Sequence, residues 1–186
     1  MCVIIYVPAG AKLPSYEELK VAHKNHPHGC GFACKSMHYK GMNFERFFER
    51  LQFTPLDEDL IIHFRYATHG SIGVKNCHPF KFKGMWFAHN GILSIKPRED
   101  MTDSETAFRD ILAPAAIEYG LDSKEFAEIE SEVRGHSKFA FIGKDGKGRL
   151  FGDFTMYNGR YYSNTRHLFY KSSFVNSYYK SYSYKG

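Results

Sequence analysis

The chain opens with Met1 and Cys2, and the next five residues, 3 to 7, are the apolar run Val-Ile-Ile-Tyr-Val. A short apolar run without alternation is typical of a strand buried on both faces, so Cys2 is expected at the start of a central sheet. If Met1 is removed, the Cys2 thiol shares its residue with a free α-amine. That amine has a pKa of about 7.7 to 8.0 and can act as a base, and a thiol of pKa about 8.5 then needs only modest help to become a nucleophile. Taken alone, a cysteine at this position is better explained as a small buried apolar residue.

Length and composition indicate a single domain. A chain of 186 residues can bury a core without disulfide or metal support. It has no run of eighteen apolar residues and no secretory leader, so we expect a soluble cytoplasmic protein whose four cysteines are free thiols. The net charge of +5 is modest and mostly spread along the chain, which argues against a nucleic-acid partner. Residues 171–186, rich in Tyr, Ser and Lys, are interpreted as a flexible tail of this one domain, 1–186.

Periodicity, caps and turns predict the remaining elements. Ser15, Asn43, Thr102 and Asp122 each precede a helical pattern, and Pro114 is expected to kink or divide the third helix. The predicted helices are 16–24, 44–51, 103–120 and 122–135, and the predicted strands are 2–7, 32–39, 59–66, 85–88, 138–142, 150–157 and 161–169. This order, with no repeat and no linker, predicts an α+β fold of two sheets covered by helices.

Four segments rich in polar residues and glycine separate these elements. They are HFRYATHG at 63–70, NCHPF at 76–80, AHNG at 88–91 and TDSE at 102–105. The stretch from 67 to 80 is a long loop that carries His and Cys but few apolar residues, and loops of that kind usually carry function.

Together with Cys2, these segments closely resemble the class II glutamine amidotransferase domain, an N-terminal nucleophile (Ntn) hydrolase best represented by the glutaminase half of glucosamine-6-phosphate synthase. In that family an N-terminal Cys is followed by the motifs RxxTxG, NxHP, HNG and TD(S/T)E, and this chain has all four in the same order over most of its length. The resemblance implies a four-layer αββα sandwich of two mainly antiparallel sheets covered by helices. The chain also looks similar to compact single-domain relatives from tailed bacteriophages.

The resemblance implies that the enzyme releases ammonia from the glutamine side chain. Cys2 would attack the carbonyl carbon of the γ-amide and form a thioester. The side-chain amide of Asn90 and the backbone N–H of Gly91 would then stabilise the oxyanion, in a turn where Gly permits close approach. No cofactor and no metal are implied.

The same resemblance implies a binding site for the head group of the substrate. Arg65, at the end of a strand, would bind the α-carboxylate of glutamine through two parallel hydrogen bonds. Thr68 and His69 resemble its neighbours in this role, and Asp103 would bind the α-ammonium. Taken alone, Asp103 is better described as a carboxylate favoured at the start of a helix.

Two features depart from the family. Relatives carry an Arg and an Asp in an RGxDxxG loop, where this chain has NHPHGCG at 25–31, so the groups expected to steady the N-terminus differ although Gly29 and Gly31 are kept. Nothing that resembles a synthase domain follows residue 186, so any ammonia acceptor is expected to be a separate synthase subunit.

Three alternatives to a glutaminase follow from the same residues. The first is an Ntn hydrolase that acts on another amide. The second is a binding module that keeps the fold without the chemistry. The third is a metal site, for which the candidate ligands are His26, His28, Cys30, Cys34, His38, Cys77 and His78, although they lack the paired CxxC loops of a structural zinc site.

Overall fold

The computed structural model describes residues 1–67, 70–166 and 168 of the chain. Its strands in chain order are β1 Val3–Val7, β2 Cys30–Ala33, β3 His38–Gly41, β4 Leu60–Phe64, β5 Phe80–Phe82, β6 Met85–Asn90, β7 Lys138–Ile142, β8 Gly148–Phe151, β9 Thr155–Tyr157 and β10 Arg160–Tyr162. Its α-helices are α1 Tyr16–Asn25, α2 Phe44–Leu51, α3 Asp103–Ala107, α4 Ala113–Glu118 and α5 Lys124–Arg134. A short 3-10 turn covers Val74–Asn76, and a π-helical turn, Phe108–Leu112, joins α3 to α4.

Two antiparallel sheets form the middle of the fold. One sheet has the strand order β3-β2-β4-β1-β10-β9, and the other has the order β5-β6-β7-β8. Apolar side chains between the two sheets include Ile4, Ile61, Trp86 and Ala140. The outer face of the first sheet packs against α1 and α2, and the outer face of the second packs against the helical segments between Asp103 and Arg134. The expected α+β sandwich of four layers is confirmed.

Strand β1 lies inside the first sheet and is buried along its whole length. Val3, Ile5 and Val7 contact the helical layer, while Ile4 contacts the second sheet. Because both faces of β1 are covered, its sequence shows no polar alternation. This burial explains why the opening run predicts the strand correctly.

The helix caps are confirmed with one exception. Ser15, Asn43 and Thr102 each accept a hydrogen bond from a backbone N–H in the first turn of the helix that follows. Helix α5 is instead capped by Ser123, because the predicted cap Asp122 binds the guanidinium of Arg149. The fourth helix therefore begins two residues later than predicted.

Pro114 divides the third predicted helix, as expected. Proline has no N–H to donate to the carbonyl four residues earlier. Immediately before it, the Ala113 N–H reaches back five residues to Phe108, which forms the π-helical turn. The helix then continues as α4 with Pro114 in its first turn.

Three predicted strands have different limits in the structure. The segment 32–39 is a hairpin of β2 and β3, because the Cys34 N–H donates to the Met37 carbonyl at 2.9 Å and closes a turn. The segment 150–157 divides at Gly152, whose φ of +90° ends β8, and the chain then enters the other sheet as β9. Strand β10 ends at Tyr162 and not at 169. The predicted tail, 171–186, lies outside the described residues.

Candidate active site

Two strand ends, one strand start and one helix start meet at one edge of the sandwich. Strands β1 and β4 are antiparallel with Val3 opposite Phe64, so Cys2 precedes β1 at the point where Arg65 follows β4. Gly91 follows β6, and Asp103 is the first residue of α3. Cys2, Arg65, Gly91 and Asp103 all line one pocket of about 50 Å³. The fold thus brings four residues that are distant in sequence to one place.

The Cys2 sulfur contacts the backbone of Tyr66, the residue after Arg65. The Tyr66 N–H donates to Cys2 Sγ at 3.4 Å, and the thiol lies 3.7 Å from the Tyr66 carbonyl. Burial raises the pKa of the Cys2 thiol above its ordinary value, while the Tyr66 hydrogen bond and the positive charges of the chain N-terminus and Arg65 lower it. The thiol is therefore protonated until a base or a closer positive charge acts on it.

Arg65 is a buried cation at the pocket. Its side chain is held in part by the Ser71 carbonyl, which accepts a hydrogen bond from the guanidinium at 2.9 Å. Only 4% of the residue is exposed. A buried guanidinium that lines a pocket can bind a carboxylate strongly, because little water competes for it.

Asp103 supplies the opposite charge in the same pocket. Its carboxylate accepts hydrogen bonds from the N–H groups of Ser104 at 2.7 Å and Leu93 at 3.2 Å. The interpretation of Asp103 as a carboxylate at a helix start is therefore correct, and the residue also lines the pocket. Its negative charge raises the pKa of the Cys2 thiol, opposite to the effect of Arg65.

Asn90 and Gly91 occupy different positions relative to the pocket. Gly91 lines it and packs so tightly that an added Cβ would lie 2.1 Å from the Ser137 hydroxyl oxygen. The side chain of Asn90 is buried, and its Nδ2 donates to Ser163 Oγ at 2.9 Å. Asn90 Oδ1 is buried without a hydrogen-bond partner in the part of the chain that the structure describes.

Residues 50–167, more than half of the chain, match the family model for class II glutamine amidotransferases. The chain belongs to this family. The family predicted from Cys2 and the four motifs is thereby confirmed.

Two solved structures share the fold of this amidotransferase domain. The glutamine phosphoribosylpyrophosphate amidotransferase of B. subtilis, complexed with ADP and GMP, superposes with a TM-score of 0.55 at 19% identity. A structure of the allosteric regulatory enzyme of purine biosynthesis superposes with a TM-score of 0.56 at 18% identity. Each match covers 90% of this chain but only 43% of the other chain. A search of curated proteins gives no match.

The loop that departs from the family motif still supports the pocket of this amidotransferase. The His28 N–H donates to the Arg65 carbonyl at 3.0 Å, and the Arg65 N–H donates to the Gly29 carbonyl at 2.8 Å. The ring Nδ1 of His28 accepts from the Ala67 N–H at 2.9 Å. The sequence did not predict this role for His28, although its place in the altered loop 25–31 was the available signal.

The two glycines that this segment shares with the family motif are explained by close contacts. A Cβ on Gly29 would lie 2.2 Å from the Cys77 sulfur, and one on Gly31 would lie 2.2 Å from the His78 carbonyl oxygen. The NxHP segment therefore packs directly on this loop. Thr68 and His69, the predicted neighbours of Arg65, lie outside the described residues.

Three buried histidines adjoin the amidotransferase pocket. The rings of His63 and His78 lie 4.3 Å apart, and the His63 Nε2 lies 3.2 Å from the His89 carbonyl. Burial lowers the pKa of His63 to about 3 and that of His89 to about 4, and it also lowers the pKa of His78. These imidazoles are neutral at physiological pH and add no charge to the pocket.

The metal alternative is not supported by the structure. Within residues 1–67, 70–166 and 168, no three His, Cys, Asp or Glu side chains come together in a way that could hold a metal ion. Cys30, Cys34 and Cys77 are free thiols and fully buried. Among the helices of the described ranges, none has the length and apolar character that a membrane crossing requires.

Proposed function

We propose that this domain hydrolyses the side-chain amide of glutamine to glutamate and ammonia through a thioester on Cys2. One observation carries the proposal: a thiol, a buried guanidinium and a carboxylate, from Cys2, Arg65 and Asp103, line a single pocket. The two charged groups match the carboxylate and ammonium of an amino acid, and the thiol is placed to act on its side chain. Membership of the amidotransferase family makes glutamine the substrate of choice.

Arg65 binds the α-carboxylate of glutamine, and Asp103 binds the α-ammonium. Because the Asp103 carboxylate is already oriented by two backbone N–H groups, it requires little reorganisation to receive a cation. Because Thr68 and His69 follow Arg65 in the same family motif, we assign them to binding of the same carboxylate. These contacts fix the head group, so the γ-amide extends toward the Cys2 sulfur.

The chemistry requires Cys2 to be the first residue. Its α-amine removes the thiol proton, and the thiolate attacks the γ-carbonyl carbon. The carbonyl oxygen becomes an oxyanion, which accepts hydrogen bonds from the Asn90 amide and the Gly91 N–H. The C–N bond then breaks, the amine proton passes to the leaving nitrogen and ammonia departs. Water, deprotonated by the same amine, hydrolyses the thioester to glutamate and restores the thiol.

The ammonia acceptor lies outside these 186 residues. A class II glutaminase domain often pairs with a synthase domain that consumes its ammonia, and the two solved relatives are more than twice the length that this chain matches. Such a synthase unit is the partner that we propose. Robust glutamine-dependent amination of an acceptor by the isolated chain would overturn this part of the proposal.

The test compares glutamine with other amides. The purified chain should release glutamate from glutamine, and it should act far less well on γ-aminobutyramide, which lacks the carboxylate, and on simple acyl amides. The variant Cys2→Ala should abolish release from every amide. Equal turnover of simple amides and glutamine would favour a different Ntn hydrolase, and no turnover of any amide by the processed chain would favour a binding module.

A further inference from the structure

The two residues that follow β10, Ser163 and Asn164, are hydrogen-bonded to the chain at the start of β1. The Ser163 N–H donates to the Ile4 carbonyl at 2.9 Å, and the Ile4 N–H donates to Ser163 Oγ at 2.8 Å. The Ser163 carbonyl accepts from Lys138 Nζ at 2.6 Å. Ser163 is only 1% exposed. Through these hydrogen bonds it joins β1 of the first sheet to Lys138, the first residue of β7 in the second sheet.

Ser163 also contacts the proposed oxyanion donor. Its hydroxyl oxygen accepts one hydrogen bond from Ile4 and one from Asn90 Nδ2 at 2.9 Å. The buried Asn90 Oδ1 then has no hydrogen-bond partner within the described ranges, and the Ser163 hydroxyl hydrogen is not used in either of these bonds. A half-turn of the amide would let the Ser163 O–H donate to Oδ1 and would place Nδ2 where the unpartnered oxygen now lies, as the donor that an oxyanion requires.

Asn164 makes the corresponding contact with the nucleophile. Its Nδ2 donates to the Cys2 carbonyl at 2.6 Å, while its Oδ1 is buried without a partner in the described part of the chain. Asn164 lines the same cleft as Met1. When Met1 is removed, the Cys2 nitrogen becomes an α-amine with additional N–H donors. Asn164 already binds the Cys2 carbonyl, so its unpartnered Oδ1 is the acceptor available to this amine.

From these contacts we propose that Ser163 and Asn164 are positioning residues of the glutaminase site. Ser163 orients the Asn90 amide toward the oxyanion, and Asn164 holds the Cys2 main chain and accepts a hydrogen bond from its α-amine. The inference rests on the proposed function. It adds to that function the two side chains that position the nucleophile and the oxyanion donor relative to one another. Neither residue touches the substrate.

The first test is a double-mutant cycle on glutamine hydrolysis by the processed enzyme. Ser163→Ala should lower kcat by about 10-fold or more, up to the 10² to 10³ typical of a lost oxyanion donor, and leave KM near its original value. In the Asn90→Ala background the same substitution should have little further effect, because Ser163 acts through Asn90. The matched control is Lys138→Met, which removes another contact to Ser163 but keeps the Asn90 contact, and it should leave kcat unchanged.

The second test is the pH profile of kcat/KM. Asn164→Asp keeps an acceptor beside the amine but adds a negative charge, which should raise the pKa of the amine and move the acidic limb to higher pH. Asn164→Ala should lower kcat without that displacement. A purely structural role for Asn164 would lower the amount of folded enzyme and leave the limb where it is.

Rates are normalised to the fraction of enzyme that reacts with an electrophilic glutamine analogue, so poor folding does not imitate an effect on turnover. Additive effects of Ser163→Ala and Asn90→Ala, or an unmoved acidic limb in Asn164→Asp, would overturn this inference while leaving glutaminase activity in place. If Ser163→Ala does not fold, Ser163→Cys takes its place in the cycle. Failure of the proposed function is a different result: the original chain, processed and folded, releases no glutamate.

Discussion

The backbone N–H of Tyr66 donates a hydrogen bond to the sulfur of Cys2 at 3.4 Å. Tyr66 directly follows Arg65, so one chain segment after β4 contacts the proposed nucleophile and also places the Arg65 guanidinium in the same pocket. A shift of this segment would therefore change binding and chemistry together. The short connection between α1 and β2 holds the segment in place through the hydrogen bonds that join His28 and Gly29 to Arg65.

The charged residues of the pocket should affect binding more than turnover. In the proposed function Arg65 and Asp103 bind the part of glutamine that does not react, so their interactions should be similar in the ground and transition states. Arg65→Ala and Asp103→Ala should each raise KM by about 10- to 100-fold, as expected for the loss of a charge-assisted hydrogen bond of about 1.5 to 3 kcal/mol. Steady-state kinetics on glutamine provide the measurement.

Conservative variants serve as controls for these two residues. Asp103→Asn keeps an oxygen for the Leu93 N–H but removes the charge, and Arg65→Lys keeps the charge but loses the bidentate geometry. Both should raise KM, with less effect on folding than the Ala variants. A fall in kcat at unchanged KM in Asp103→Asn would show that the carboxylate takes part in the chemistry and does not bind the ammonium.

Asn90 should show the opposite kinetic pattern. In the proposed mechanism Asn90→Ala removes a donor that is used only when the oxyanion forms, so kcat should fall by about 10² to 10³ with little change in KM. Asn90→Asp is the matched variant, because it fits the same space but offers an acceptor to the oxyanion, and it should be at least as inactive. A change confined to KM would refute the oxyanion role.

Gly91 should not tolerate any side chain. Its φ is +152°, and an added Cβ would lie 2.1 Å from the Ser137 hydroxyl oxygen and 2.6 Å from the Ser137 Cβ. Gly91→Ala should therefore lower the free energy of unfolding by about 1 to 3 kcal/mol and displace the oxyanion turn. Denaturant unfolding measures the first effect and kcat the second. Ser137→Ala should restore little in the double variant, because the Ser137 Cβ still clashes; a full recovery would contradict this geometry.

Stability should fall in acid because of a buried histidine. Burial lowers the folded-state pKa of His63 to about 3, whereas an unfolded histidine has a pKa of about 6.5. Between these two values the unfolded chain binds the extra proton, so the free energy of unfolding decreases as the pH falls from about 6.5 toward 3. His63→Gln, which can still donate to the His89 carbonyl, should flatten this slope by one proton. An unchanged slope in urea melts across that pH range would show that His63 is not the group responsible.

Features of the fold were predictable from the sequence where they depend on neighbouring residues. The cap at Ser15 and the buried run at 3–7 depend on neighbouring residues, and both were predicted correctly. The division of 150–157 was missed because it depends on long-range packing: at Gly152 the chain passes from one sheet to the other, and an added Cβ there would lie 2.8 Å from the distant Ser137 carbonyl oxygen.

The same contrast between local and long-range determinants applies to the candidate site. The resemblance predicted that Cys2, Arg65, Asn90, Gly91 and Asp103 belong together. All of these except Asn90 line one pocket, whereas the Asn90 side chain contacts Ser163. The supports Ser163 and His28 were not predicted, because a serine after a strand and a histidine in a loop acquire their roles only from partners far along the chain. Among the residues that support the site, only those of segment 25–31, which departs from the family motif, were notable in the sequence.

The last prediction concerns Met1 and follows from where the positive charge lies. While Met1 is present, the nitrogen of Cys2 is an amide without a basic lone pair, and burial raises the pKa of the thiol. After removal of Met1, the α-amine belongs to Cys2 itself, so its charge acts on the sulfur from within one residue and its neutral form supplies the base. The active protein should therefore have an intact mass that lacks one methionine.

Labelling of the processed protein should be specific for one thiol. One equivalent of an electrophilic glutamine analogue should react with Cys2 and spare the three fully buried thiols, one of which, Cys30, has its pKa raised by burial to about 12. A form that retains Met1 should lose both labelling and hydrolysis while its circular dichroism spectrum is unchanged, and Cys2→Ser in the processed form is the matched control for loss of the nucleophile alone. If the protein that retains Met1 hydrolysed glutamine at the full rate, the N-terminal amine could not be the base, and the mechanism proposed for this pocket would have to be abandoned.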